Sequence, residues 1–205
     1  MGLALTVIDD FLADPEAFRA HALKLDYSVQ GPYPGRNSVE HIQIEGLERL
    51  VSSMVGERVQ IPLPLQSHGT CRLTLESDNC EPSKIHIDPT HWSGVLYLNR
   101  PEDCRGGTEF YRHLPSGMDR VPKDERGLQA AGYRSYDELQ REVVEKDGLD
   151  RSKWEPTMTV PMRFNRLILF SPWMFHNSGP GFGKTPESGR LVNLMFFARA
   201  PQPSG

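Results

Sequence analysis

Cysteine is scarce in this chain, and what there is does not pair off. Cys71, Cys80 and Cys104 are the only three in 205 residues. An odd number cannot all close internal disulfides, and no two stand at C-x-x-C spacing, which argues against a structural zinc site. They read as reduced thiols of a cytoplasmic protein. Long apolar runs are missing too, since nothing approaches the roughly 20 consecutive apolar residues of a membrane span. Met1 to Ile8 lacks a basic start and reaches Asp9-Asp10 at once, so it does not read as a secretory signal. Nor is there an excess of one charge: the net charge is −4, with 24% charged residues in no long run of one sign. The expectation is a protein with no nucleic-acid partner and no membrane partner. No feature bears on oligomeric state.

What is present suits a globular core. The length fits one domain, or one domain carrying an elaborate insertion. Apolar residues make up 38% of the chain, and a chain of this size buries roughly 70% of its unfolded surface without needing staples.

Leu3 to Ile8 predicts a short strand. Asp14 followed by Pro15 predicts a helix start, with an N-cap carboxylate and proline at the first helical position, running to about Leu25. Gly31 to Gly35 (GPYPG) predicts a loop. Leu47, Leu50, Val51 and Met54 recur at helical spacing, so a second helix is predicted over 47–55. Pro62 and Pro64 interrupt the chain, and from about residue 68 the texture turns to strands. Cys71, Leu73 and Leu75 alternate with polar residues. Further strands are predicted at 85–88, 94–98 (GVLYL), 108–111, 166–170 (RLILF) and 191–198 (LVNLMFFA). Between the fourth and fifth of these six lies a polar stretch, 112–158, with a helix predicted over Tyr136 to Lys146. Many short strands with Gly and Pro turns favour a sandwich or barrel.

His86-Ile87-Asp88 is the sharpest feature. Alternate residues of a strand share a face, so this HxD aims an imidazole and a carboxylate into the same space. Two histidines and one carboxylate on one face of an octahedral iron leave three positions open. Alone, an HxD means little, since 7 His and 12 Asp in 205 residues give about 0.4 by chance. The signal sharpens further along the chain. His176 comes a short turn after RLILF, and Arg190 lies 190 − 176 = 14 residues on, opening LVNLMFFA. A guanidinium grips a carboxylate through two parallel hydrogen bonds and keeps its charge. Three ligands and a carboxylate anchor thus fall in order, each at a strand edge.

The segment IHIDPTHWSGVLYLN, followed after 10 residues by FYRH, and the later NRLILFSPWMFHNSGPGFGKTPESGRLVNLMFF resemble the iron(II)/2-oxoglutarate dioxygenases of the prolyl 4-hydroxylase-like branch. The shared features are His86 and Asp88, Tyr97-Leu98-Asn99, Gly106-Gly107, the strand 167–170, His176 and Arg190. The opening VIDDFL is similar as well. The resemblance implies a mainly β double-stranded β-helix, a jelly-roll of the cupin type, with flanking helices. In its terms 1–66 is an N-terminal strand and helices, and 67–111 and 159–199 form the core; the inserted segment 112–158 is expected, from its place in the chain alone, to cover the substrate mouth. It implies His86, Asp88 and His176 as ligands of Fe(II), with Arg190 holding the far carboxylate of 2-oxoglutarate. Thr108 or Glu109 would add a hydrogen bond to that co-substrate.

The implied activity is hydroxylation of a C–H bond in a small molecule, an amino acid or a peptide residue. It would consume O2 and 2-oxoglutarate and release succinate and CO2, with ascorbate as a possible auxiliary reductant. Asp88 argues against halogenation, which needs the carboxylate position vacated. Three departures stand out: arginine at 190 where that branch generally has lysine, no clear counterpart of its co-substrate tyrosine (Arg72 or Lys84 lies nearby), and no counterpart of 112–158.

Competing readings are a metal-binding cupin-like protein that performs no oxidation, and a metal-dependent isomerase or extradiol-type dioxygenase that needs no Arg190. His91 and His113 read as rim residues rather than extra ligands. Trp92, Trp173 and Phe175 read equally as pocket lining or core packing. Gly106 and Gly107 read as a turn or bulge.

Overall fold

The computed structural model describes residues 3–78 and 83–201; the expectation for Cys80 lies outside them. Eleven strands and four helices are described in order: β1 (Leu5–Ile8), α1 (Pro15–Ala22), β2 (Val29–Gln30), β3 (Arg36–Asn37), α2 (Leu47–Val55), β4 (Val59–Gln60), β5 (Cys71–Thr74), β6 (Trp92–Tyr97), β7 (Gly107–His113), α3 (Glu125–Ala130), α4 (Tyr136–Leu139), β8 (Trp154–Pro161), β9 (Arg166–Phe170), β10 (His176–Asn177) and β11 (Arg190–Arg199). Helix α4 widens into a π-helical segment, Gln140–Glu145. The Asp14 carboxylate caps α1 by accepting from Ala17 N–H at 3.0 Å, with Pro15 at the first helical position.

All strand pairings are antiparallel. The large sheet runs β1-β9-β6-β11-β5-β3-β2, with β4 joined to β11; the small sheet runs β10-β7-β8. An isolated bridge between His86 and His176 adds the HxD segment beside β10. From β5 onward the chain passes between the sheets: β5 large, His86 small, β6 large, β7 and β8 small, β9 large, β10 small, β11 large. That winding is the double-stranded β-helix, a jelly-roll of the cupin type.

The unbroken apolar runs follow from burial on both faces of the large sheet. In β9, Leu167 and Leu169 point outward to pack with Ala22, Leu47, Val51 and Val55 under α1 and α2. Ile168 and Phe170 point inward to meet Tyr97, Phe110 and Val192 between the sheets.

The polar stretch 112–158 differs from the expectation in two ways. Its last part is β8, which pairs with β7 from Gly107↔Pro161 to His113↔Trp154. Its middle has a core of its own, where Leu139, Val143 and Val144 are fully buried. They pack with Leu128, Ile85, Ile87, Phe175 and Trp154. Gly106 adopts a left-handed φ of 63°, and a Cβ on Gly107 would overlap the Val160 carbonyl, so this pair is the turn into β7.

Candidate metal centre

His86 and His176 are backbone partners. His86 N–H donates to the His176 carbonyl at 3.0 Å and His176 N–H to the His86 carbonyl at 2.9 Å. Directly paired residues send their side chains to one side of the sheet. Asp88, two residues along from His86, points the same way, and its N–H donates to the Pro172 carbonyl at 3.1 Å. Ile85 and Ile87 take the opposite face. The result is a compact donor set, in which one ligand atom from each of His86, Asp88 and His176 lies within 4.8 Å of the others. Asp88 Oδ1 is 3.7 Å from His86 Nε2, and Asp88 Oδ2 is 3.4 Å from His176 Nε2. Cis donors about 2.1 Å from one ion stand about 3 Å apart, so small side-chain movements bring these three onto a single ion.

The surroundings prepare each donor. His86 Nδ1 lies 2.9 Å from the Lys84 carbonyl and His176 Nδ1 lies 2.8 Å from the Met174 carbonyl. A carbonyl only accepts, so each Nδ1 carries the proton and each Nε2 presents a lone pair to the cavity. The Ser93 hydroxyl donates to Asp88 Oδ2 at 2.7 Å. Burial pushes the His86 imidazole down to about 4, keeping it neutral. For Asp88 burial works upward, but His176 and His86 when protonated, together with the Ser93 hydroxyl, outweigh it and hold the carboxyl well below its usual range. Two imidazoles that turn Nε2 to the cavity and an ionised carboxylate fit a divalent transition metal.

The three donors open onto a cavity of about 390 Å³ that is also lined by Arg190, Thr108, Arg72 and Tyr33. Arg190 is only 3% exposed. Among the described residues no carboxylate pairs with its guanidinium and no acceptor hydrogen-bonds it. Burial depresses its pKa, opposed by the phenol of Tyr97 and the carboxylate of Glu109. An unpaired buried cation is costly, and one facing a cavity is placed to receive an anion. Thr108 Oγ1 lies 2.7 Å from the Tyr97 hydroxyl, which is fully buried beside it.

The sequence matches the family model described as "Family of unknown function (DUF6445)" over residues 1–197. The chain belongs to that family. No curated protein matches it. Among solved structures, this DUF6445 chain is similar to EctD from S. alaskensis with bound Fe, at 18% identity and TM-score 0.43, covering 96% of this chain and 73% of that one. It is similar to HygX from Streptomyces hygroscopicus with iron bound, at 12% identity and TM-score 0.40, covering 96% and 83%. A third is the selenomethionine-labelled Fe(II)/(alpha)ketoglutarate-dependent dioxygenase TqaL, at 13% identity and TM-score 0.41, covering 98% and 84%. With such low identities and scores, the fold stands on the strand pairings described above.

Other candidate residues of the DUF6445 chain lie elsewhere. His91 Nε2 sits 3.0 Å from Glu57 Oε2. His113 is no rim residue: it is buried, with Nε2 3.0 Å from Asp147 Oδ2 and Nδ1 2.9 Å from Ser116 Oγ. Trp92 and Phe175 are core, while Trp173 lines an open hollow that adjoins the main cavity. Glu109 accepts from the Tyr111 hydroxyl and is not among the residues lining the main cavity. No residue of 112–158 lines it either. That segment packs on Ile85, Ile87 and Phe175, the backs of the ligand strands, and the Gly148 carbonyl accepts from Ile85 N–H at 2.9 Å. It buttresses the HxD segment from behind instead of covering the mouth.

Tyr33 and Asn37 line the cavity without having been singled out in the sequence, and Arg72, named there only as lying near the place of a co-substrate tyrosine, lines it as well. Tyr33, from the GPYPG loop, stacks on His86 with ring centroids 4.3 Å apart. An aromatic between a Gly-Pro and a Pro-Gly step was the one local signal for Tyr33.

Proposed function

We propose that this DUF6445 protein is an iron(II)- and 2-oxoglutarate-dependent dioxygenase of the type its HxD, YLN, Gly-Gly and distal-His order resembles. It hydroxylates a C–H bond of a small molecule, an amino acid or a peptide residue. The observation that carries the reading is the sharing of one cavity by the His86–Asp88–His176 donors and the unpaired, buried Arg190.

In this reading His86 Nε2, His176 Nε2 and one Asp88 oxygen hold the iron. Ser93 and the carbonyls of Lys84 and Met174 fix the orientation of those ligands. Arg190 takes the distal carboxylate of 2-oxoglutarate, and Thr108, steadied by Tyr97, lies beside it. Bound iron, with oxygen and 2-oxoglutarate, supplies the oxidising power and yields succinate and CO2. The chain supplies position and dryness: Phe170, Val95 and Val192 wall the cavity, exclude water and hold the reacting C–H bond.

The test is anaerobic addition of Fe(II) and 2-oxoglutarate, followed by oxygen. A weak visible charge-transfer band and then succinate are expected, and Arg190→Ala should abolish the band at the same 2-oxoglutarate concentration. No band and no succinate would leave a metal-binding cupin-like protein.

A further inference from the structure

Arg190 is not the only arginine facing the cavity. In the large sheet Thr74 stands opposite Arg190 and Arg72 opposite Val192, so the two arginines are diagonal neighbours on the inner face. Arg72 is held on two sides. Its Nε donates to Asn37 Oδ1 at 2.7 Å, from the residue paired with it on β3. Its guanidinium lies 5.5 Å from the centroid of the Tyr33 ring, the same ring that stacks on His86. Its Nη2 lies under the backbone of Gly31, where a Cβ would come within 3.6 Å. Asn37 is itself buried. Among the described residues the two terminal nitrogens of Arg72 have no hydrogen-bond acceptor, and no carboxylate pairs with the group.

Charge balance says what they await. Among the described residues that line the cavity, Asp88 is the one carboxylate, against two guanidinium groups, while Glu109 acts on Arg190 from outside the lining. Add a divalent ion and three positive charges remain uncompensated. The dianion 2-oxoglutarate would match the ion and Arg190, which also has Glu109 nearby, and would leave the Arg72 guanidinium without a carboxylate partner of its own. Enclosed sites do not keep an unmatched charge cheaply.

We propose that Arg72, pre-set by Asn37 and Tyr33, recognises a carboxylate on the molecule to be oxidised, so that the substrate class is a carboxylate-bearing small molecule such as a free amino acid. This rests on the dioxygenase reading of the same cavity. A guanidinium fork fixed by a hydrogen bond and a ring loses little freedom when it takes a carboxylate. Carboxylate recognition at Arg72 would anchor the substrate beside Tyr33, over the His86 side of the donor set. The rest of the substrate has room, because Gln66, Pro89 and Thr90 line both this cavity and an adjoining open hollow of about 570 Å³.

The test uses the full chain loaded with Mn(II) in place of iron and saturated with 2-oxoglutarate, so that no turnover is needed. Calorimetric titration with the standard free L-amino acids and their C-terminal amides reads binding directly. At least one acid should bind, and its amide should bind roughly tenfold or more weakly. Arg72→Gln should erase that preference while changing 2-oxoglutarate affinity by less than about twofold. Arg72→Lys keeps the charge without the fork and should retain part of the preference; it also serves if the glutamine variant does not fold.

The inference falls if no acid binds, if acid and amide bind equally to the native chain, or if Arg72→Gln weakens 2-oxoglutarate roughly tenfold. The last result would place Arg72 in the co-substrate site. Failure of the dioxygenase reading has a different signature: 2-oxoglutarate itself does not bind the Mn(II) form, or binds it equally after Arg190→Met.

Discussion

His86 and His176 exchange backbone hydrogen bonds at 3.0 and 2.9 Å although 176 − 86 = 90 residues separate them in the chain. The exchange fixes more than their proximity. Paired residues of an antiparallel ladder place their side chains on one face, so once this pair forms both imidazoles must point into the same cavity. The alternation along the HxD then delivers Asp88 to them. The donor set is therefore a property of the sheet register, and a one-residue slip would turn every ligand outward.

Removing a donor should empty the site without unfolding the barrel. His176→Ala is expected to weaken Mn(II) or Fe(II) binding by about 100-fold or more, since it leaves two protein ligands. Equilibrium dialysis against the metal measures this, with circular dichroism confirming the fold. Unchanged affinity would remove His176 from the ligand set.

Ser93 does not touch the ion in this scheme but orients Asp88 through its 2.7 Å hydrogen bond. Ser93→Ala should cost roughly 10–100-fold in metal affinity, the range of such supporting contacts. The same dialysis reads it, and an effect below about threefold would mean that Asp88 needs no help.

Arg190→Met should separate function from stability. The guanidinium is buried without a partner, so replacing it with an apolar chain of similar length should not lower the melting temperature of the ligand-free protein and should raise it slightly. Affinity for 2-oxoglutarate should fall by about 100-fold. A marked loss of thermal stability would show that Arg190 holds the fold together.

The segment 112–158 should behave as structure. Leu139 is fully buried in the cluster behind the HxD segment, so Leu139→Ala should destabilise the protein by about 2–5 kcal/mol. Metal and 2-oxoglutarate affinities of the folded variant should stay within about threefold. Chemical denaturation gives the first quantity and dialysis the second. A stability change below about 0.5 kcal/mol would contradict the packing described.

Cys71 should be inert in the native state. Burial raises its thiol to about 11 against the weaker downward pull of Asn193 and Tyr27. A raised thiol pKa means the neutral, unreactive form at every pH below that value. Iodoacetamide at pH 8 should leave Cys71 unmodified until the protein is unfolded, as peptide mass spectrometry of the two states will show.

Much of the site could be read from the chain because its donors sit on elements with strong periodic signals. RLILF and LVNLMFFA are unmistakable buried strands, and His176 and Arg190 are located by their distance from them. The readings that failed involve elements whose local signal is weak or shared. Strand β8 hid in the polar stretch because Pro156 and Pro161 fall within it, and proline argues against a strand unless it lies at an edge. Leu139, Val143 and Val144 are too few to announce a core. They become one only against Ile85, Ile87 and Phe175, which lie elsewhere in the chain.

By itself the sequence singled out His86, Asp88, His176 and Arg190 and set which neighbours in a strand share a face, because side-chain alternation is a local consequence of backbone geometry. Only the tertiary structure decided what meets across the barrel: that His176 pairs with His86, that Tyr33, Asn37 and Arg72 converge at the mouth, and that 112–158 lies behind the ligands. Such meetings depend on how sheets close and pack, and no local pattern records the distance between residues that fold together from far apart.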